Sequence, residues 1–348
     1  MTSSGGSTTS SAEVPVPAAL AAPAQSSAPS GGGGETLSIA GGVLRQTALP
    51  PRARGQIIVV ASGKGGVGKT HIAANMAIGL AVAGRRVLLV DADLGLANID
   101  LVLGQRPRGD LGHVLTGRLP LDQIVQTGPG GIRWIPGASY LSGIERTDQR
   151  RREELLAHLT ALETSHDYLI IDAPSGIGRG VLHLAQQADQ LVLVTTPEPT
   201  AVMDAYALLK ALAVPAAARK SSAGGAVWAT SAAHTGRTAG SRKPPLGEVR
   251  LVVNMVTHRA DADQVQKRID LAARRFLGIS VPMLGYVYCD GHVSQAVRRQ
   301  QPLVLAYPHS QAAWCMKRLA GAILDLAPDA GLARFAFFRR LAKFFMAG

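Results

Sequence analysis

Eight residues, Gly63-Lys64-Gly65-Gly66-Val67-Gly68-Lys69-Thr70, carry the densest chemistry in the chain. They follow an apolar run, Ile57–Val60, and precede a helical pattern. Strand, glycine-rich loop and helix in that order are the context in which G-x-x-x-x-G-K-[ST] holds phosphate. Gly65, Gly66 and Gly68 let the backbone curl so that successive N–H groups face one anion. The helix that follows, with His71 in its first turn, points its positive end at the same place. Lys69 is placed to reach the β- and γ-phosphates of a nucleotide, and Thr70 to hold Mg²⁺ through its hydroxyl. Gly63 through His71 are therefore the candidate nucleotide-binding residues. Lys64 is a second lysine, which cradling phosphate does not require.

Carboxylates supply the remaining chemistry. Asp91-Ala92-Asp93 ends a second apolar run, at the edge of the sheet where open α/β folds bind ligands. Two carboxylates beside a triphosphate repel it unless a cation or water intervenes. Tyr168-Leu169-Ile170-Ile171-Asp172 is a third apolar strand ending in a carboxylate, which is expected to hold Mg²⁺ through water. Ala173 to Gly178 then reads as a glycine-containing switch loop able to sense a γ-phosphate. In-line attack on that phosphate needs positioning and charge stabilisation rather than covalent chemistry.

The elements that must position these groups are legible as short β-branched runs at 57–60, 87–90, 168–171, 191–194, 249–253 and 281–287. Helical patterns separate them at 72–83, 151–162, 202–213 and 261–276, with two more at 293–299 and 311–326. Such alternation predicts βαβ units, hence a doubly wound, mostly parallel α/β sheet in one domain over 55–328. Residues 1–54 read as a disordered low-complexity arm, since Ser, Gly, Ala, Thr and Pro cannot bury enough apolar surface to offset ordering entropy. Residues 216–247 interrupt the domain as a flexible basic insertion.

The 348 residues carry a net charge of +12, which invites a nucleic-acid reading. Its distribution speaks against a uniformly basic surface. Residues 211–247 contribute +5 and 332–348 contribute +4, neither with an acid, while 57–210 sum to −1. Five of the six phenylalanines crowd into the tail, Gly331 to Gly348. Wound as a helix, the tail sets these phenylalanines with Leu341 against Arg339, Arg340 and Lys343, the pattern of a helix lying in a membrane interface. Three such cations near an anionic leaflet supply about 3 kcal/mol. No stretch is long and apolar enough to span a bilayer. Two cysteines, Cys289 and Cys315, exclude a disulfide scaffold, a four-cysteine zinc site and a CxxC pair. A reducing cytoplasm fits that count, and the tail would place the protein peripherally on the inner face of the cell membrane.

The Lys-Gly-Gly-Val-Gly-Lys-Thr form of the loop resembles the deviant Walker A family of MinD, ParA and the nitrogenase iron protein. The stretch from Asp91 through Asn98 to Gly104, the stretch from Thr195-Thr196-Pro197-Glu198-Pro199-Thr200 to Lys210, and Ala296 to Pro302 resemble the FlhG/FleN/YlxH group of MinD-like ATPases, which control flagellar number and placement. The resemblance spans residues 56–310. It implies an ATPase that uses ATP and Mg²⁺ and forms an ATP-dependent homodimer, with Lys64 reaching the partner's nucleotide. It implies further that Asp93 orients the attacking water, that Asp91 supports Mg²⁺ and its waters beside Thr70 and Asp172, and that Asn254 contacts adenine. Catalytic candidates are thus Lys64, Lys69 and Asp93. The implied partners are flagellar: an FlhF-type GTPase and basal-body or C-ring components. The chain departs from the group in two places, one of them the insertion over 216–247. The GTPase-stimulating Asp-Gln-Ala-x-x-Leu-Arg-like motif is not found, the nearest stretch being Val43-Leu44-Arg45-Gln46. The alternative is another positioning ATPase, for septum placement or DNA partition, with the basic insertion on nucleic acid.

Overall fold

Ile57, Val59 and Ala61 of the first apolar run enter one hydrophobic layer, and Ile58 and Val60 enter the other. A strand buried on both faces must be apolar throughout, which is why these runs do not alternate with polar residues. The structure, a computed structural model, describes residues 55–93, 97–138, 161–213 and 247–325. The expected arm over 1–54, the tail helix over 331–348, most of the helix over 151–162 and all of the insertion but Gly247 lie outside the described residues.

Among the described residues eight strands form one sheet: β1 (Gln56–Ser62), β2 (Val87–Asp91), β3 (Gln126–Thr127), β4 (Arg133–Ile135), β5 (Tyr168–Ser175), β6 (Gln190–Thr195), β7 (Glu248–Val256) and β8 (Met283–Tyr288). Their order is β3-β4-β2-β5-β1-β6-β7-β8. All neighbours are parallel except β3 and β4. The six expected strands are present, and β8 starts two residues later than expected, after Pro282. The two short strands β3 and β4 were not legible, because two or three residues are too few to show a period. β5 runs three residues beyond Asp172, pairing Ser175 with Ser62 past a bulge in the register. The switch loop thus shrinks to Gly176–Gly178.

Ten α-helices are described: α1 (Lys69–Val82), α2 (Ile99–Leu103), α3 (Leu111–Leu115), α4 (Leu121–Ile124), α5 (Arg179–Gln187), α6 (Pro199–Ala213), α7 (Arg259–Leu277), α8 (Gly291–Arg298), α9 (Leu303–Ala306) and α10 (Gln311–Asp325). α5, α6 and α7 cover one face through Val181, Leu208, Val265 and Ile269. α1 and α10 cover the other through Ile72, Met76, Met316 and Leu319. This is the doubly wound sandwich that the alternation predicted. α7 is bounded as its sequence dictates. His258 and Asp261 form a reciprocal cap at its start, and Gly278 ends it in a left-handed turn at φ 67°.

One buried polar side chain ties α9 to the first turn of α1. Asn75 of α1 is fully buried; its Oδ1 accepts from the Val304 N–H at 3.0 Å, and its Nδ2 donates to the His71 carbonyl at 2.8 Å. Asn75→Ala strands the Val304 N–H of α9 without an acceptor and should cost about 1–3 kcal/mol in urea unfolding. A loss below about 0.5 kcal/mol would mean that water takes over the amide's part.

Candidate nucleotide-binding site

The loop after β1 is shaped by three contacts. Ser62 Oγ donates to the Lys64 carbonyl at 2.9 Å. At Gly63 the chain passes so close to α6 that a Cβ would collide with the Asp204 carbonyl, so no other residue fits there. Gly68 turns at φ +86° to start α1, and a Cβ there would strike the Asn254 amide. That amide explains Asn254: its Nδ2 donates to the Val67 carbonyl at 2.8 Å, tying β7 to the loop. The side chain, 7% exposed, lies two residues inside β7 rather than at its end. Met255 beside it takes φ 58°, a left-handed backbone that few side chains tolerate.

The two lysines of the loop point to different places. Lys69 is buried, and its Nζ lies 2.8 Å from Asp172 Oδ1, with both side chains less than a tenth exposed. Lys64 sits at the outer rim, a third exposed, donating to Glu198 Oε1 at 2.8 Å and Thr200 Oγ1 at 2.9 Å. Thr200 itself donates to Glu198 at 2.9 Å, and the Lys64 ammonium holds the Glu198 carboxyl below the usual carboxylate range. The receptor for Lys64 was missed by sequence reasoning. Glu198 and Thr200 lie 134 and 136 residues away from it, in the stretch quoted only for resemblance.

Asp91, the last residue of β2, is paired in register with Asp172 inside β5, and Asp93 lies near enough for its charge to act on Asp172. Asp91 is 1% exposed and accepts three backbone N–H groups: from Asp93 at 3.0 Å, Asn98 at 3.1 Å and Ile99 at 3.2 Å. Those bonds favour the anion, yet burial and the neighbouring Asp172 charge outweigh them and push the Asp91 carboxyl up to about 7. Burial also pushes Asp172 up, while Lys69 and the Thr70 hydroxyl pull it back. Burial lowers the His71 imidazole.

This donor set fits a nucleoside triphosphate with Mg²⁺. Positive-φ glycines at 66 and 68 free the loop backbone to bend around an anion, a helix begins at the same point, and an ammonium, a hydroxyl and buried carboxylates converge beneath it. Beside the loop, Lys64, Gly65, Thr196, Pro197, Met255 and Asp261 border a cavity of about 350 Å³. Among the described residues no His, Cys, Asp and Glu cluster could hold a metal by itself, so a cation here would be shared with phosphate and water.

Residues 55–220 match the family described as AAA domain. The chain is 32% identical over 265 residues to the antiactivator FleN of Pseudomonas aeruginosa, covering 76% of this chain and 85% of that protein. The chain belongs to the FlhG/FleN group of MinD-like ATPases. It is 28% identical to the flagellum site-determining protein YlxH of Helicobacter pylori, over 83% of this chain and 90% of that one. The solved cell division ATPase MinD of Pyrococcus furiosus superimposes with a TM-score of 0.58 at 25% identity, covering 78% of this chain and all of that one. As a MinD-like ATPase, the protein uses ATP and Mg²⁺.

The raised Asp91 carboxyl makes stability depend on pH. A folded-state pKa above the unfolded value gives a contribution fully present below about pH 4 and lost as pH rises to about 7. In protein free of nucleotide and metal, the stability of the wild type relative to Asp91→Asn should fall steadily between pH 4 and 7 in urea titrations. A difference that stays flat across that window would show that Asp91 ionises as it does in the unfolded chain.

Proposed function

We propose that this ATPase is a reversible switch that regulates the number and placement of flagella. ATP joins two copies, with their nucleotides sandwiched between them, and hydrolysis separates them. The division of labour between the loop lysines is what supports this reading. Lys69 is committed to its own site by Asp172, whereas Lys64 is exposed at the rim, held only by surface groups. Lys64 can therefore leave Glu198 and reach the phosphates of a facing subunit.

Within each site Lys69 turns from Asp172 to the β- and γ-phosphates, and Asp172 is freed to hold Mg²⁺ through water with the Thr70 hydroxyl. Asp91 holds the Asp93 N–H and so fixes the segment carrying Asp93. Asp93 orients the attacking water, and Asn254 secures the loop beside the adenine. Bound Mg²⁺ would offset charge on the phosphates, and the lysines from both subunits would do so as well. The tail, 331–348, binds the inner face of the membrane, weakly in one copy and more tightly when the dimer carries two. The flagellar assignment rests on the likeness to FleN and YlxH, and its partners would be flagellar basal-body components and an FlhF-type GTPase.

Asp93→Ala should keep nucleotide affinity within about threefold of wild type but abolish turnover, so that gel filtration with Mg²⁺ and ATP shows a persistent dimer. A variant that elutes only as a monomer would contradict the switch. Deleting the gene should change the number of flagella per cell; unchanged flagellation would remove the flagellar assignment and leave the ATPase.

A further inference from the structure

A cavity of about 570 Å³ opens between the end of α2, the turn at Pro129, and the loop that joins α8 to α9. That volume is in the range of ligand pockets. Leu103, Pro129, Pro302 and Leu305 give it apolar walls, and Leu305 is exposed. Arg299, Gln300 and Gln301 give it polar groups, none with a side-chain hydrogen bond or ion pair among the described residues. Gln105 stiffens one wall, accepting from Trp134 Nε1 at 2.8 Å and donating to the Thr127 carbonyl at 3.3 Å. The Arg299 guanidinium lies 5.2 Å from the centre of the Tyr307 ring, so an aromatic face holds it and no carboxylate does. Gln300 takes φ 50°, a left-handed backbone that few side chains tolerate. Gly104, at φ 64°, presses against it so closely that a Cβ would collide with the Gln300 carbonyl. Strained backbone of this kind collects at binding sites.

Charge and connectivity say what the cavity is for. The segments that form its walls, 101–109, 126–134 and 291–310, contain no acid. They carry Arg106, Arg108, Arg133, Arg298 and Arg299, all exposed. Of the acids that flank them, Asp100 lies in the first turn of α2, and Asp110 and Asp290 cap α3 and α8. Two walls reach the nucleotide site through hydrogen bonds. α2 begins with the Ile99 N–H on Asp91 Oδ2 at 3.2 Å and ends about 7.5 Å further on, in the cavity. Asp91 in turn holds the Asp93 N–H. α9 gives its Val304 N–H to Asn75, which holds the His71 carbonyl just after the phosphate loop.

We propose that this cavity is a second binding site, which takes an acidic, leucine- or phenylalanine-bearing peptide segment of a partner protein and through α2 controls ATP hydrolysis. The control rests on the reading of Asp93 as the residue that orients water; the binding rests on the cavity alone. Glutamine amides both donate and accept, as an extended peptide backbone does, and Arg299 suits a carboxylate. An apolar side chain fills the space beside Leu305. Duplex DNA would use the arginines at the rim and leave the apolar walls in water. A segment seated between α2 and α9 fixes both, and with them the start of the stretch that carries Asp93.

The experiment selects peptides from a displayed random library on the full chain saturated with Mg²⁺ and ADP, so that the phosphate loop is filled. Recovered peptides are titrated against wild type, Arg299→Glu, Leu305→Gln, and Arg268→Glu as a control of equal charge change on α7. Peptides with Asp or Glu around a Leu or Phe should be recovered. They should bind Arg299→Glu about tenfold more weakly and Leu305→Gln about threefold more weakly, and Arg268→Glu like wild type, with melting temperatures unchanged. At saturation such a peptide should change the wild-type kcat for ATP by about threefold or more, and leave that of Arg299→Glu as it was. An empty selection, neutral or basic sequences, or peptides that bind all four proteins alike would overturn the site. Binding that leaves the wild-type kcat unchanged, where turnover without peptide is intact, would overturn the control and leave the ATPase reading untouched. A short DNA duplex that binds in place of any peptide, and loses affinity for Arg299→Glu, would give the cavity to nucleic acid and overturn the inference.

Discussion

A buried ammonium and a buried carboxylate, Lys69 and Asp172, lie 2.8 Å apart beneath the phosphate loop, and the rest of the site is arranged around them. Neither charge could be held there alone, since removing one partner of a buried pair costs about 3–5 kcal/mol. The pair needs β1 and β5 side by side, because Lys69 opens the helix after one and Asp172 lies in the other. It also needs the loop held in shape, which falls to Gly63 against α6 and to Asn254 on the Val67 carbonyl. On the proposed reading, a phosphate and a cation arriving together would give each charge a new partner, so binding would exchange one satisfied arrangement for another.

The sheet centre and the phosphate loop were legible in the sequence because both follow from local rules. Runs such as Ile57–Val60 and Leu191–Val194 are apolar on every residue, which fits only a strand covered on both sides. The glycines at 66 and 68 have the positive φ that the motif requires. What escaped depends on distance along the chain. The two hydrogen bonds from Lys64 to Glu198 and Thr200, and the burial that lifts Asp91, are set by which strands become neighbours. The short α2, α3, α4 and α9 escaped for a different reason, since four or five residues display no helical period. α5 was missed because glycines precede it and its apolar face is narrow, made by Val181, Leu182, Leu184 and Ala185.

The charge of the chain is divided in the same spirit as its chemistry. The nucleotide edge gathers carboxylates that only a cation or a lysine can neutralise. In the C-terminal half of α7, Lys267, Arg268, Arg274 and Arg275 are all exposed.

If Lys64 acts on the nucleotide of the opposite subunit, mixing two inactive variants should reveal it. Lys64→Ala keeps Asp93 but lacks the travelling lysine; Asp93→Ala keeps that lysine but lacks the water-orienting carboxylate. Each alone should hydrolyse ATP at background rate. Mixed in equal amounts, they form dimers in which one site combines the intact Asp93 of the first with the intact Lys64 of the second. ATPase activity should then appear that neither variant shows by itself. A mixture as inactive as its components, under conditions where the two demonstrably form mixed dimers, would contradict action across the interface and return Lys64 to its own subunit.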